Sequence, residues 1–203
     1  MKKTIIAAML LAGSMLPGLA QASYLLDTGA PDNSGFPLSL DGADFAAAEF
    51  NLAPGQIIGS IQGYLSGGSS GSPGDTFTIA LYAADGSNGL PGTAVWSGQG
   101  TYQANGWNGL SNLGLSGLSA GKYWAAFEVG PADSTAGLLL PTQAGSGSAL
   151  ALFYAFNSGS GYQLMSGEAF GVQVSAVPLP GALILLVSGL AAIGGIGRRR
   201  KLA

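Results

Sequence analysis

The segment TFTIALYAA, from Thr76 to Ala84, alternates large apolar side chains with smaller or polar ones. Phe77, Ile79 and Leu81 fall on one face of an extended chain, because successive side chains of a β-strand point to opposite faces. An apolar period of two predicts a half-buried strand, whereas an amphipathic helix repeats its apolar positions every 3.6 residues. The segment therefore predicts a β-strand whose apolar face packs against a core.

The same period of two recurs along the chain between clusters of turn residues. Lys122 to Val129 alternates regularly, and the alternation of Ile57 to Leu65 predicts that Ile58 and Ile61 lie on opposite faces. Phe45 to Leu52 is ambiguous, because its three alanines also suit a helical turn. Further short strands are expected over residues 23–26, 93–96, 101–103, 110–118, 149–156 and 169–176.

These segments predict the fold class of residues 23–176, which we call the body. Seven to nine short strands without a long helix are typical of an all-β fold, and we expect a two-sheet, jelly-roll-like sandwich. The body is long enough to form one domain with a hydrophobic core of its own.

The composition excludes several kinds of chemistry. The chain has no cysteine and no histidine, which excludes Ser-His-Asp and Cys-His catalysis, the common zinc sites and disulfides. All ten acidic residues lie in the body against one base, Lys122, so its formal charge is −9. We expect no nucleic-acid partner, because phosphate binding needs clustered Lys or Arg. We predict no catalytic residues, no metal site and no cofactor.

Two kinds of acid chemistry remain as alternatives. A carboxylate pair would suit a glycosidase-type hydrolase, but no spacing selects two of the ten acids. The turns Asp41 to Asp44 and Asp85 to Gly89 offer oxygen ligands for calcium, yet neither has the spacing and closing glutamate of an EF-hand. The same residues are common in turns, which is the interpretation we favour.

A tryptophan provides the best candidate for carbohydrate binding. Trp107 stands between Gly106 and Asn108, and it is predicted to lie in a loop where its flat ring could stack on a pyranose. Trp96 and Trp124 are instead expected to pack in or beside the core, as is usual for tryptophan in a sandwich.

The N-terminus has the three parts of a secretory signal peptide, which we assign to residues 1–22. Lys2 and Lys3 form a charged start, Ile5 to Leu16 is apolar, and Ala20 and Ala22 form a small-residue cleavage site. The sequence therefore predicts export and cleavage by signal peptidase.

The C-terminus, residues 177–203, reads as a membrane anchor preceded by a proline motif. The motif is Val177-Pro178-Leu179-Pro180, whose prolines fix φ and remove two backbone donors. The uncharged run from 181 to 197 would form a helix of about 25 Å, slightly short of a ~30 Å hydrocarbon core. A basic cluster then stops transfer and keeps the C-terminus inside. Its members are Arg198, Arg199, Arg200 and Lys201.

This tail resembles the PEP-CTERM sorting signal of Gram-negative bacteria, which combines a proline motif, a weak transmembrane helix and terminal arginines. The resemblance implies an exosortase-type membrane protease as a partner, in bacteria that make extracellular polysaccharide. Leu179 stands where the usual Val-Pro-Glu-Pro core has glutamate, so the match is to a Val-Pro-Leu-Pro variant, and the exosortase subtype stays open.

Together these features predict an exported, non-enzymatic surface or extracellular-matrix protein. We expect its tail to anchor it in the inner membrane before processing, and the body then to reach the cell surface or the matrix. The alternative function is that of a carbohydrate-binding module for extracellular polysaccharide.

Overall fold

Antiparallel β-strands make up the part of the chain that the computed structural model describes: residues 23–42, 44–135, 137–144, 154–165 and 167–177. The predicted all-β class is therefore confirmed for these residues. They contain no helix that is both long and apolar enough to cross a membrane. The predicted signal peptide, the tail from Pro178 onward and the expected strand start at Ala149 lie outside the described residues.

The described residues form fourteen strands, more than the seven to nine expected. Five of them have only three residues, too few to show a period of two in the sequence. The strands are β1 Tyr24–Asp27, β2 Leu38–Leu40, β3 Asp44–Leu52, β4 Ile58–Leu65, β5 Thr76–Ala83, β6 Ala94–Thr101, β7 Gly106–Leu115, β8 Gly121–Glu128, β9 Leu138–Leu140, β10 Thr142–Ala144, β11 Tyr154–Ser158, β12 Tyr162–Leu164, β13 Glu168–Phe170 and β14 Val172–Ala176.

Two larger sheets and two strand pairs organise these strands. The four-stranded sheet has the order β1-β14-β4-β7, and the six-stranded sheet has the order β12-β11-β3-β8-β5-β6. The small pairs are β2 with β9 and β10 with β13. The ends of the body meet in the four-stranded sheet, where Tyr24 lies opposite Ser175 and the Ala176 N–H donates to the Ser23 carbonyl at 2.9 Å.

The inward faces of the two larger sheets share one hydrophobic core. Phe127 of β8 is fully buried and lies near Phe77 of β5 and Phe170 of β13, with ring centroids 6.5 Å and 6.3 Å apart. The same ring covers Gly63 of β4, where an added Cβ would stand 2.7 Å from a ring carbon. The two sheets therefore approach so closely here that β4 has no room for a side chain.

A β-bulge overturns the expected alternation at the start of β4. Ile58 and Ile61 are both fully buried, although the sequence predicted them on opposite faces. The register against β14 moves from Ala176 opposite Ile58 to Ser175 opposite Ser60, so β4 carries one extra residue at this point. The extra residue reverses the side-chain parity, and the alternation continues as expected from Ile61 to the end of the strand.

A second, smaller apolar cluster covers the outer face of the six-stranded sheet. Four buried alanines stand opposite one another across four strands, in the order Ala155, Ala47, Ala126 and Ala80. Trp124 lies beside this row and is almost fully buried, which agrees with the expectation that it packs in or beside the core. Small side chains let larger neighbouring groups cover this face.

Two tyrosines complete the cover over the alanines. Tyr82 and Tyr162 both donate to Oε1 of Glu128, at 2.8 Å and 2.7 Å, and their ring centroids are 5.8 Å apart. Burial raises the pKa of both hydroxyls, and the Glu128 carboxylate raises it further. Both tyrosines therefore remain protonated donors at neutral pH. Their bonds to Glu128 connect β12, at one edge of the sheet, with β5 and β8.

Candidate functional site

A cleft of about 360 Å³ opens beside the end of β4. Its volume falls in the range of small-ligand pockets, roughly 300–1,000 Å³. The described lining comes from the loop before β2, the end of β4, the turn before β7 and the connection from β9 to β10. These residues are Asn33, Gly35, Pro37, Tyr64, Ser66, Asn105, Leu139, Pro141 and Thr142.

Hydrogen bonds fix the loop before β2 against β10 and so form one wall of the cleft. The Gly35 N–H donates to the Thr142 carbonyl at 3.2 Å, and the Thr142 hydroxyl donates to the Phe36 carbonyl at 2.7 Å. The Ala144 N–H donates to the Ser34 hydroxyl at 3.0 Å. One of these bonds joins two main-chain groups and the other two use the hydroxyls of Thr142 and Ser34, so both backbone and side chains fix this wall.

Tyr64 supplies the aromatic ring of the opposite wall. Trp107 packs edge-on against it, with ring centroids 5.5 Å apart and an interplanar angle of 89°. The Tyr64 N–H donates to the Gly171 carbonyl at 2.9 Å, and a Cβ added to Gly171 would stand 2.6 Å from the tyrosine Cβ. A neighbouring ring and a close backbone contact thus limit the positions of Tyr64.

Asn105 provides an oriented amide group at the cleft. Its Oδ1 accepts hydrogen bonds from the Tyr102 hydroxyl at 2.6 Å and from the Gly67 N–H at 3.0 Å. Both bonds use the oxygen, so neither involves the two hydrogens of the amide nitrogen. The adjoining backbone is fixed by reciprocal bonds of 2.8 Å and 2.9 Å between Ser66 and Leu139.

The described lining is uncharged at neutral pH. It consists of amides, hydroxyls, prolines, a leucine and one aromatic ring, and it includes no carboxylate, lysine or arginine among the described residues. General acid–base catalysis needs a titratable group within hydrogen-bond reach of the substrate. The described lining itself therefore holds no carboxylate pair of the kind that the glycosidase alternative requires.

The structure corrects the predicted position of Trp107. This residue is the second residue of β7, opposite Tyr64 in the register, and is not in a loop. Its glycine neighbour suggested a turn, but Gly106 has a φ of 127° that only glycine adopts readily, and it begins the strand. Trp107 is half-buried and packs edge-on against Tyr64, which is the aromatic residue of the described lining.

The other predicted site residues are distributed as follows. Val177 is described and exposed, and its N–H donates to the Ile57 carbonyl at 2.7 Å. The remaining sorting motif, the basic cluster and the cleavage-site alanines lie outside the described residues.

Two turns were considered as sources of oxygen ligands for calcium. In the one that begins at Asp85, the carboxylate already has protein partners. Oδ1 of Asp85 accepts from the Thr93 N–H and Oδ2 from the Thr93 hydroxyl, both at 2.7 Å. These bonds close the turn at the end of β5. Within the described ranges, no three acidic side chains come together as a metal-binding group.

Replacing Thr93 with valine should raise the pKa of Asp85 part of the way toward 3.8, because the N–H and the hydroxyl of Thr93 together hold it lower. A lowered pKa means that the carboxylate stabilises the fold above pH ~3.8 and that this contribution disappears as the pH falls through the folded value. An NMR titration measures the change, with Thr101→Val on β6 as the control. An unchanged Asp85 pKa would contradict the assigned bonds.

Comparisons with known proteins give a fold likeness only. No protein-family model and no curated protein matches the sequence. Among solved structures, the chain is similar to the cysteine protease and lectin-like domains of Cwp84, a surface layer associated protein of Clostridium difficile. The two share 12% sequence identity at a TM-score of 0.50, and the match covers 68% of this chain. The match covers 33% of that structure's chain, so this chain corresponds to about a third of that protein's structure.

Proposed function

We propose that this protein is an exported surface or matrix protein whose body binds carbohydrate at the cleft beside β4. The observation that carries the proposal is the Tyr64 ring, held in place among amide and hydroxyl groups in a cleft of suitable size. A pyranose presents a flat face of C–H bonds and an edge of hydroxyls, which match an aromatic ring and neutral polar groups. The lectin-like domain in the similar structure is consistent with this assignment.

The strand order supports the jelly-roll-like sandwich as the finer description of the fold. Eight strands pair first with last and then successively inward: β1 with β14, β3 with β8, β4 with β7, and β5 with β6. This is the pairing obtained when one long antiparallel hairpin is rolled up into two facing sheets. The strands from β9 to β13 are then an insertion before the last strand, and the cleft lies where that insertion meets β4.

The proposed route to the surface rests on the two termini. The signal peptide would direct export, and the Val177 to Pro180 motif with its helix and basic cluster would be recognised by an exosortase-type protease. The PEP-CTERM resemblance and the absence of His and Cys support a non-enzymatic role in a polysaccharide-rich matrix.

Replacing Tyr64 with alanine should weaken polysaccharide binding by roughly five- to 150-fold, since the contacts of a single anchoring aromatic ring are worth about 1–3 kcal/mol. Biolayer interferometry of the purified full-length protein on immobilised polysaccharides measures the change. Tyr24→Ala is the matched control, because Tyr24 is exposed on β1 of the same sheet, opposite Ser175 and away from the cleft. Equal losses in both variants, or none in Tyr64→Ala, would contradict binding at the cleft.

A further inference from the structure

Two carboxylates belong to residues that contact or adjoin the described lining of the cleft. Glu168 stands behind the wall residue Thr142, with its Oε2 at 3.3 Å from the threonine hydroxyl, and its Oε1 accepts from the Phe36 N–H at 3.2 Å. Asp32 is exposed and immediately precedes the lining residue Asn33. Hydrogen bonds from the side chain and the N–H of Ser34 hold the pKa of Asp32 below its usual value. Asp32 is therefore ionised at neutral pH.

The described residues place no positive charge near these two acids. Lys122 is the single base between residues 23 and 177, and it projects from the outer face of the six-stranded sheet. Its Nζ lies 2.9 Å from Oε1 of Glu49, so its charge is already paired. Since the body carries a formal charge of −9, nothing in the described structure offsets the negative potential at the cleft.

We propose that the cleft selects polysaccharide segments that carry no carboxylate, sulfate or phosphate group. This selectivity rests on the carbohydrate binding proposed above and names its ligand class. Neutral sugar hydroxyls can accept from the N–H groups of the Asn105 amide, whose oxygen already has two donors, and can donate to or accept from the Ser66 hydroxyl. An anionic sugar would approach Glu168 and Asp32 without a lysine or arginine to pair with, and repulsion between like charges disfavours that complex.

The test compares neutral and acidic polymers on the same full-length protein in detergent micelles. Immobilised neutral glucans and galactans are the expected ligands, and alginate, a polyuronate, is the acidic probe. We expect alginate to bind on the order of tenfold more weakly at low salt, because two nearby carboxylates repel it. The difference should narrow at about 0.5 M NaCl, where the screening length falls to a few ångströms.

Charge variants separate a local effect from the net charge of the body. Glu168→Gln keeps the size of the side chain and its capacity to bond Phe36 and Thr142, while Glu49→Gln makes the same charge change on the other sheet. We expect Glu168→Gln to strengthen alginate binding roughly two- to fivefold, by removing one repulsive charge, and Glu49→Gln to leave it unchanged.

The possible outcomes are distinguishable. Alginate binding as strong as that of the neutral polymers, or an equal response of the two variants, would overturn the selectivity and leave carbohydrate binding in place. If the wild-type protein binds no polysaccharide, or if the Tyr64→Ala variant binds one as strongly as the wild type does, the proposed function and the selectivity are both overturned.

Discussion

Replacing Phe127 with alanine is expected to lower the free energy of unfolding of the body by about 3–5 kcal/mol. Phe127 is fully buried, lies near Phe77 and Phe170, and fills the space that Gly63 leaves on the facing sheet. Alanine would remove the ring from a contact between two sheets. Gly63 on the facing sheet has no side chain that could refill the cavity, so the loss of unfolding free energy should fall at the upper end of that range. Because domains of this kind are stable by about 5–15 kcal/mol, the variant would be close to its unfolding threshold.

Guanidinium unfolding followed by tryptophan fluorescence measures this change, because all three tryptophans lie in strands of the body. The midpoint should fall by about 1 M. Phe36→Ala is the matched control, since Phe36 is 83% exposed and its loss should change stability by less than about 0.5 kcal/mol. A loss below about 1 kcal/mol in Phe127→Ala would mean that the two sheets do not meet at this ring.

Replacing Pro178 and Pro180 together with alanine is expected to block removal of the tail in a host that carries an exosortase. A protease needs an extended backbone at its substrate bond, and prolines at alternate positions hold the chain extended outside a helix. With alanine, the apolar helix could extend toward Val177, at a gain of up to ~3 kcal/mol for each interior position relative to proline. The protein should accumulate in the inner membrane with its tail attached, while signal-peptide removal continues.

An immunoblot for the tail over time measures this effect, beside an exosortase-deficient strain. The control is Pro54→Ala with Pro73→Ala, since both of these prolines lie in turns of the body. Processing of the motif variant at the wild-type rate would refute recognition of the prolines. Equal processing of the wild type without exosortase would show that the tail is only an anchor and that the PEP-CTERM interpretation is wrong.

The sequence predicted best those strands whose two faces differ most. The predicted bounds of β5 and β8 agree with the structure to within about one residue, because each strand has one clearly apolar inward face. In β5 that face carries Phe77, Ile79 and Leu81, and in β8 it carries Tyr123, Ala125 and Phe127. For β3 the alanines left strand and helix undecided. In the structure, Ala46 and Ala48 pack into the main core and Ala47 into the smaller cluster on the other face. These three residues are therefore apolar on both faces and give no period between Phe45 and Glu49.

Other features could not be read because they depend on pairing between distant segments. The bulge in β4 is seen in its register against β14, more than 100 residues further along the chain, and the register against β7 is irregular at the same point. Short strands such as β9 and β10 exist because Leu38 to Leu40 and Glu168 to Phe170 lie opposite them, and three residues carry no periodic signal of their own.

The cleft was missed for the same reason. Its residues come from four separate segments, and in three of them the asparagine, glycine or proline residues look like ordinary turn residues. Trp107, the residue that the sequence favoured for sugar stacking, is not in the described lining but packs against Tyr64, which is. Only its pairing opposite Tyr64 in the register identifies the ring that lines the cleft.

The position of β14 has a consequence for how the chain reaches its folded state. β14 is the last strand that the structure describes, yet it lies between β1 and β4 within the four-stranded sheet. A chain that emerges N-terminus first from a ribosome or a translocation channel presents these residues last, so β1 must wait for a partner about 150 residues away. Such long-range closure is slow. The four-stranded sheet can therefore be completed only after the last residues of the body have emerged.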